Sequence, residues 1–268
     1  MARVLMLSSW VGAGHVGLSA GALAAQMLGH EVLQLPTTIL SNHPAHAHVA
    51  GRATPPETLA AMRDAMDGNG WLAGLDAVLT GYLPSPEHVD MAAETVALVR
   101  RRSPGARVVV DPVLGDAPGG LYLPENVAMA LRDRLVPFAD VLTPNAFELG
   151  WLAGHPVQGP ADALAAAGAL ADMAEVLVTS PPADPGMTGV LSVGAGGVRM
   201  FASPHLDGVP HGVGDVFSAL IAAGLPVAQA LGHLNALIRA SLGAPHLAIA
   251  TAARDWTAAP PLAETGDA

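Results

Sequence analysis

A chain of 268 residues, 51% of them hydrophobic and only 13% charged, is long enough for one large α/β domain with a substantial core. Its formal net charge of −11 argues against nucleic acid as a partner, since phosphate backbones are held through basic surface. Cysteine and lysine are both absent, all 12 basic residues being arginine, which removes disulfides, thiolate catalysis, cysteine metal sites, a Walker A lysine and a Schiff-base lysine.

In chain order, the first strand is expected over residues 4–7, an apolar run that leads into Gly12, Gly14 and Gly17. These spell G-x-G-x-x-G, the spacing of a dinucleotide-binding turn. That reading demands a glycine directly after the strand and an acid closing the second strand. Ser8 to Val11 intervene before Gly12, and the second strand, 32–35, runs into Pro36 without a carboxylate, so no dinucleotide is expected. The uncharged stretch 11–29 is too rich in glycine and polar residues for a membrane span or a signal-peptide centre. A cytoplasmic protein without membrane contact is therefore expected.

Helices are expected over 18–28 and 57–66, a strand over 77–79, and a helix over 89–101 whose end carries Arg100 to Arg102, where cations suit the helix dipole. A strand at 108–110, a helix at 125–134, a strand at 141–142, helices at 147–153 and 161–173, and a strand at 176–178 follow. Pro56, Pro124 and Pro160 stand just ahead of three of these helices, where a missing N–H costs little. A hairpin with a glycine-rich turn is expected over 187–201, then helices at 213–223 and 227–242, and a loosely held tail after Trp256. Such alternation predicts one domain, a mostly parallel sheet with helices on both faces. Nearly every strand then releases polar residues on one rim, where open α/β sheets collect ligands: Ser8 and Ser9, Thr37 to His43, Thr80 to Tyr82, Asp111 and Asp116, Thr143 to Glu148, Thr179 and Ser180.

The strongest local signal is Gly212-Val213-Gly214-Asp215 ahead of an apolar helix. Two glycines can turn successive N–H groups outward at a helix N-terminus, an anion cradle that needs no side chain. Asp215 reads either as a capping carboxylate or as a general base beside developing negative charge. Asp111 and Glu148 likewise read as caps, or as carboxylates that without nearby lysine call for a divalent cation such as Mg²⁺.

Ser9 with Gly14 to Gly17, Ser41-Asn42-His43, Gly81-Tyr82-Leu83, Asp111 to Asp116, Tyr122 to Glu125, Thr143 to Glu148, Val178-Thr179-Ser180 and Gly212 to Asp215 occur together and in order. In these segments the chain resembles the pyridoxal kinase family of the ribokinase-like superfamily, over nearly its whole length. The resemblance implies a three-layer ribokinase-like sandwich that phosphorylates the 5′-hydroxymethyl group of pyridoxal or a related vitamer with ATP. It implies Asp215 as general base, with Gly212, Val213 and Gly214 as anion hole. Ser9, His43 and Tyr82 would line the vitamer pocket, with Asp215 at its floor. Asp111, Asp116, Thr143, Asn145, Glu148 and Thr179 would face the nucleotide. Asp111 and Glu148 would hold Mg²⁺ largely through water, and a monovalent cation is left open. A homodimer is implied. The loop Ala45 to His48, which lacks the family's usual lysine, reads either as a solvated loop whose His46 and His48 matter little, or as a flap that closes over the phosphates with a protonated histidine standing in for that lysine. Two other readings remain: a kinase for another hydroxymethylated heterocycle such as hydroxymethylpyrimidine, and a vitamer- or nucleotide-binding protein without turnover.

Overall fold

The computed structural model describes residues 1–265. Five short, β-branched segments supply the centre of the sheet: β1 (Arg3–Val11), β4 (Ala77–Thr80), β5 (Arg107–Val110), β8 (Val141–Leu142) and β9 (Glu175–Thr179). All five are parallel, and they read as near-continuous apolar runs because both faces are covered. With β2 (Glu31–Leu40), β3 (Gly51–Ala53), β10 (Met187–Gly194) and β11 (Gly197–Pro204), they make a nine-stranded sheet of order β11-β10-β9-β8-β5-β4-β1-β2-β3. A separate two-stranded hairpin, β6 (Gly115–Asp116) with β7 (Gly120–Leu121), stands beside it.

Side-chain alternation divides the core in two. Leu5, Leu7, Val78, Val108, Val110 and Val178 face a layer made by α2 (Pro56–Gly68), α3 (Pro86–Arg102), α4 (Glu125–Arg134), α5 (Ala146–Ala153) and α6 (Pro160–Ala171). Val4, Met6, Ala77, Leu79, Val109 and Leu177 face the opposite layer of α1 (Leu18–Met27), α7 (Val213–Ala222), α8 (Val227–Ser241) and α9 (Ala253–Trp256). Every expected helix and strand is present, and the helix ends fall within three residues of expectation.

The larger differences have local causes. β1 runs on to Val11 and β2 passes through Pro36 to Leu40, with a register shift between Ser8 and Ser9 opposite Pro36. Proline can sit there because β2 has only β1 beside it until Thr38 pairs with Ala53, so its missing N–H breaks no bond. Gly12 therefore follows β1 directly, and the first objection to a dinucleotide turn falls. The second holds, since β2 closes on Ser41 and Asn42 rather than on an acid.

The tail after Trp256 is not loosely held over its described part. Leu262 N–H donates to Ala228 O at 2.8 Å, Thr265 N–H to Met200 O at 3.0 Å, and the backbone at Pro260 packs against Gly232 of α8. A buried Trp256 anchors the segment through Nε1–H to Ile249 O at 2.8 Å. Residues 266–268 of that tail lie outside the described residues.

The chain leaves β1 for β2 on one side and returns to β4 on the other. The strand order therefore reverses between β1 and β4, where open sheets leave a crevice beyond the strand ends. Among the described residues no helix is long and apolar enough to cross a membrane.

Candidate active site

The crevice is floored by the start of α7. Gly212 caps that helix with φ 100°, and no side chain caps it, so the N–H groups of Val213 and Gly214 stay open to a ligand while that of Asp215 meets its own carboxylate. A Cβ on Gly212 would overlap the carbonyl oxygen of His15; one on Gly214 would meet no atom within 4 Å. The first glycine is thus required by the backbone, and the second keeps an open face above the helix end. Asp215 lies in the first turn rather than at the cap, and with Ser8, Gly17, Gly81, Asp111 and Ser218 it lines one cavity.

Burial raises the Asp215 pKa to about 6, against the N–H groups of Gly17 and of Asp215 itself, which hold it down. Gly17 caps α1, so the glycine-rich turn after β1 aims a backbone N–H at this carboxylate. Asp111 is displaced upward by burial and then by the nearby charges of Glu148 and Asp215, while Ser218 Oγ–H, donating to Oδ2 at 2.8 Å, opposes the rise. Glu148 is pushed up to about 7, chiefly by burial. Three carboxylates therefore crowd one crevice, and neither of its two cavities is lined by an arginine.

Not all of the expected residues face open space. Asn145 and Glu148 form a reciprocal capping box on α5, with Glu148 N–H to Asn145 Oδ1 at 3.0 Å and Asn145 N–H to Glu148 Oε2 at 2.9 Å. Glu148 Oε1 also accepts from Leu114 N–H at 3.0 Å, and Asn145 Nδ2–H donates to Gly115 O at 2.8 Å. The capping alternative is thus realised for Glu148, with Asn145 as its partner, and together they clamp the β6–β7 hairpin onto α5. Thr143 is buried behind Asp111, its Oγ1 2.9 Å from Ser218 Oγ; because Ser218 donates to Asp111, Thr143 donates to Ser218. Asp116 lies on the hairpin near Tyr122, whose hydroxyl pKa is raised chiefly by burial and then by Asp116. Thr179 Oγ1–H reaches Pro144 O at 3.4 Å, across the bridge that joins Asn145 to Thr179.

Ser9 stands over the Gly17 turn. Tyr82 closes β4's loop, its N–H on Ser8 Oγ at 3.2 Å and its carbonyl accepting from Thr37 Oγ1 at 2.6 Å. His43 sits in a second cavity with His15, His46, His211 and His246. Of the loop histidines, His46 lies 6.4 Å from the His246 ring, and His48 gives its carbonyl to Asn42. Ser218 was missed by sequence reasoning. The available signal was its place one helical turn after Asp215, a hydroxyl in an otherwise apolar helix.

The raised proton affinity of Asp215 has a consequence for stability. A carboxyl whose folded pKa exceeds its unfolded value of 3.8 contributes stability in full below pH 3.8 and loses it as pH rises through about 6. Asp215→Asn should therefore raise stability at pH 8, on the order of 3 kcal/mol for about two units of displacement, and leave it unchanged near pH 3. Thermal unfolding at both pH values checks this; equal Tm shifts at the two would remove burial of the charged carboxylate as the cause.

The phosphomethylpyrimidine kinase family model matches residues 14–241. Pyridoxal kinase PdxY of Corynebacterium diphtheriae is 34% identical over 225 residues, covering 81% of this chain and 79% of that protein. The pyridoxine/pyridoxal/pyridoxamine kinase of Bordetella avium is 37% identical over 227 residues, covering 83% and 77%. Among solved structures, pyridoxal kinase from Leishmania donovani in complex with ADP and pyridoxine superposes with TM-score 0.88 at 29% identity, over 97% of each chain. Pyridoxal kinase from Entamoeba histolytica shares the fold at TM-score 0.90 and 24% identity, over 99% of this chain and 98% of that one.

Proposed function

Because this chain belongs to the pyridoxal kinase family, we propose that it transfers the terminal phosphoryl group of ATP to the 5′-hydroxymethyl group of pyridoxal or a related B6 vitamer. The observation that carries the reading is the first turn of α7, where a helix N-terminus without a side-chain cap at Gly212 stands next to Asp215, whose carboxylate lines a cavity with Asp111 and Ser8. In this reading Asp215 accepts the hydroxymethyl proton as the oxygen attacks phosphorus. A base with a pKa of about 6 is ionised at neutral pH yet still able to hold a proton, the balance general-base catalysis needs. The amides of Gly212 to Gly214 meet the charge that gathers on the phosphoryl oxygens. Ser9, His43 and Tyr82 would line the vitamer pocket, while Asp116, Thr143, Asn145 and Thr179 would border the nucleotide. Thr143 would act from behind, through Ser218 and Asp111.

The acidic crevice fits Mg²⁺. Asp111 and Glu148 repel one another without a basic neighbour, and an oxygen-binding cation relieves that repulsion. Glu148 already accepts from Leu114 and Asn145 N–H, and among the described residues no three His, Asp or Glu side chains converge to hold a metal directly. Both carboxylates would therefore act through metal-bound water. Mg²⁺ bound to the phosphates would neutralise their charge and orient them. Activity is expected to vanish in excess chelator and return with Mg²⁺ or Mn²⁺. Asp111→Ala and Glu148→Ala should raise the metal concentration needed for half-maximal rate more than the KM for vitamer, in a metal titration of each variant. Unchanged metal titrations would place the cation elsewhere. The chain would work in the cytoplasm as a homodimer.

A second reading is phosphorylation of a hydroxymethylated pyrimidine, a ring class kin to the phosphomethylpyrimidine that the family model's description names. A coupled ADP-release assay over pyridoxal, pyridoxine, pyridoxamine and hydroxymethylpyrimidine separates the two. The vitamer reading requires the largest kcat/KM with a vitamer; a larger value with the pyrimidine overturns it.

A further inference from the structure

The second cavity is unusual in being walled by five imidazoles, and two of them make direct ring contact. His43 and His211 stack with centroids 4.2 Å apart and planes 20° from parallel. They come from opposite sides of the crevice: His43 from the loop after β2, His211 from the residue before the Gly212 cap. The His43 ring is also tied on its own side, because its Nδ1 accepts the N–H of Ala45 at 3.2 Å. An Nδ1 that accepts carries no proton, so a neutral His43 holds its hydrogen on Nε2. His211 is exposed on its other face, makes no side-chain hydrogen bond among the described residues, and has no part in the phosphoryl chemistry described above.

We propose that His211 is a positioning residue for the vitamer: stacked on His43, it holds that imidazole as a neutral Nε2–H donor for an acceptor oxygen on the substrate ring. This rests on the vitamer-kinase reading. The stack closes the ring face that Ala45 leaves free, so rotation about the His43 side chain would cost both contacts. Charge acts in the same direction. Burial, then His211, then His46 lower the pKa of His43, while His15 and His246 border the same cavity and Leu247 O takes the Nδ1–H of His15 at 2.6 Å. A neutral donor suits a formyl, hydroxymethyl or phenolate oxygen. It offers nothing to an ammonium, so an aminomethyl substituent should be the poorest match.

The test reads the ring first and the reaction second. Long-range ¹H–¹⁵N spectra of the unliganded protein, assigned by the signals lost in His43→Gln, report the His43 tautomer and its titration. Wild type should show the Nε2–H form at pH 7. In His211→Val the tautomers should mix and the titration midpoint should move up toward the ordinary imidazole value of about 6.5. His211→Phe, which stacks but cannot ionise, should restore the tautomer while keeping the raised midpoint. In steady state, His211→Val should raise KM for pyridoxal about tenfold, the typical worth of one placed hydrogen bond, with kcat and the KM for ATP moving less. His211→Phe should recover most of that loss. An unchanged tautomer and midpoint in His211→Val overturn the proposal, as does an equal rise in the KM for ATP. Should no vitamer be phosphorylated by wild type, the vitamer reading fails, yet the spectra still decide whether His211 sets the state of His43.

Discussion

Asp215→Asn is expected to lower turnover by about 10²–10⁴-fold, the usual consequence of losing a positioned general base, while nucleotide affinity changes less than twofold. The asparagine is nearly isosteric and keeps contact with the N–H groups of Gly17 and Asp215, so the mouth of the cavity should hold its shape. What it loses is the ability to take the hydroxymethyl proton as the phosphoryl group arrives. The same variant should be the more stable protein at pH 8, because burial there opposes the native carboxylate. Opposite changes in activity and stability are the signature of a charge kept for chemistry rather than for folding. Rapid-quench measurement of the chemical step, beside calorimetric ADP binding, gives both halves. Turnover within tenfold of wild type would remove Asp215 from the base role.

Gly212→Ala should be the second severe change, and for a different reason. The residue caps α7 with φ 100°, a conformation costing a side chain roughly 1–3 kcal/mol. Its Cβ would also overlap the His15 carbonyl. Either α7 or the Gly14–Gly17 turn must shift, and both supply N–H groups to the carboxylate of Asp215, the proposed base. Activity should fall about 10²–10³-fold, as when an oxyanion donor is lost, with a lowered Tm. Gly214→Ala is the informative companion, since its Cβ meets no protein atom. It should leave Tm unchanged or raised and still depress activity by placing a methyl above the cradle. A fully active Gly214→Ala would mean that the transferring group does not approach this turn.

The fold was readable wherever burial imposes a period. The valine-rich parallel strands and the proline-started helices stand where the apolar pattern put them, because both helix layers need continuous apolar faces. What pattern reading lost are features held by single hydrogen bonds or by position in the sheet. Pro36 looked like a strand end, since its neighbours in the sheet are invisible in one dimension. β3 and the β6–β7 hairpin are too short to carry a period. The tail is alanine- and proline-rich, yet its backbone pairs with β11 and α8, which composition cannot show.

The candidate site divides in the same way. Asp111 and Asp215 line one cavity, His43 another, and Gly212 caps α7; they could be singled out because glycine spacing and strand-end carboxylates are local signals. Asn145 and Glu148 are bound to each other first, a capping box that the Asn-x-x-Glu spacing already allowed. Ser218 and His211 escaped because their significance is spatial. One matters through Asp111, more than a hundred residues away in sequence, the other through the ring of His43.

Transfer of the terminal phosphoryl group to a vitamer hydroxymethyl at the Asp215 cradle can be followed by the label itself. Wild-type protein, Mg²⁺, γ-³²P-labelled ATP and pyridoxal are mixed for a single turnover, and the labelled species are separated. Label should move to the 5′-oxygen of pyridoxal as ADP forms, and Asp215→Asn should leave it on ATP over the same interval. Label released as inorganic phosphate with pyridoxal unmodified, or the same transfer rate in Asp215→Asn, would contradict it.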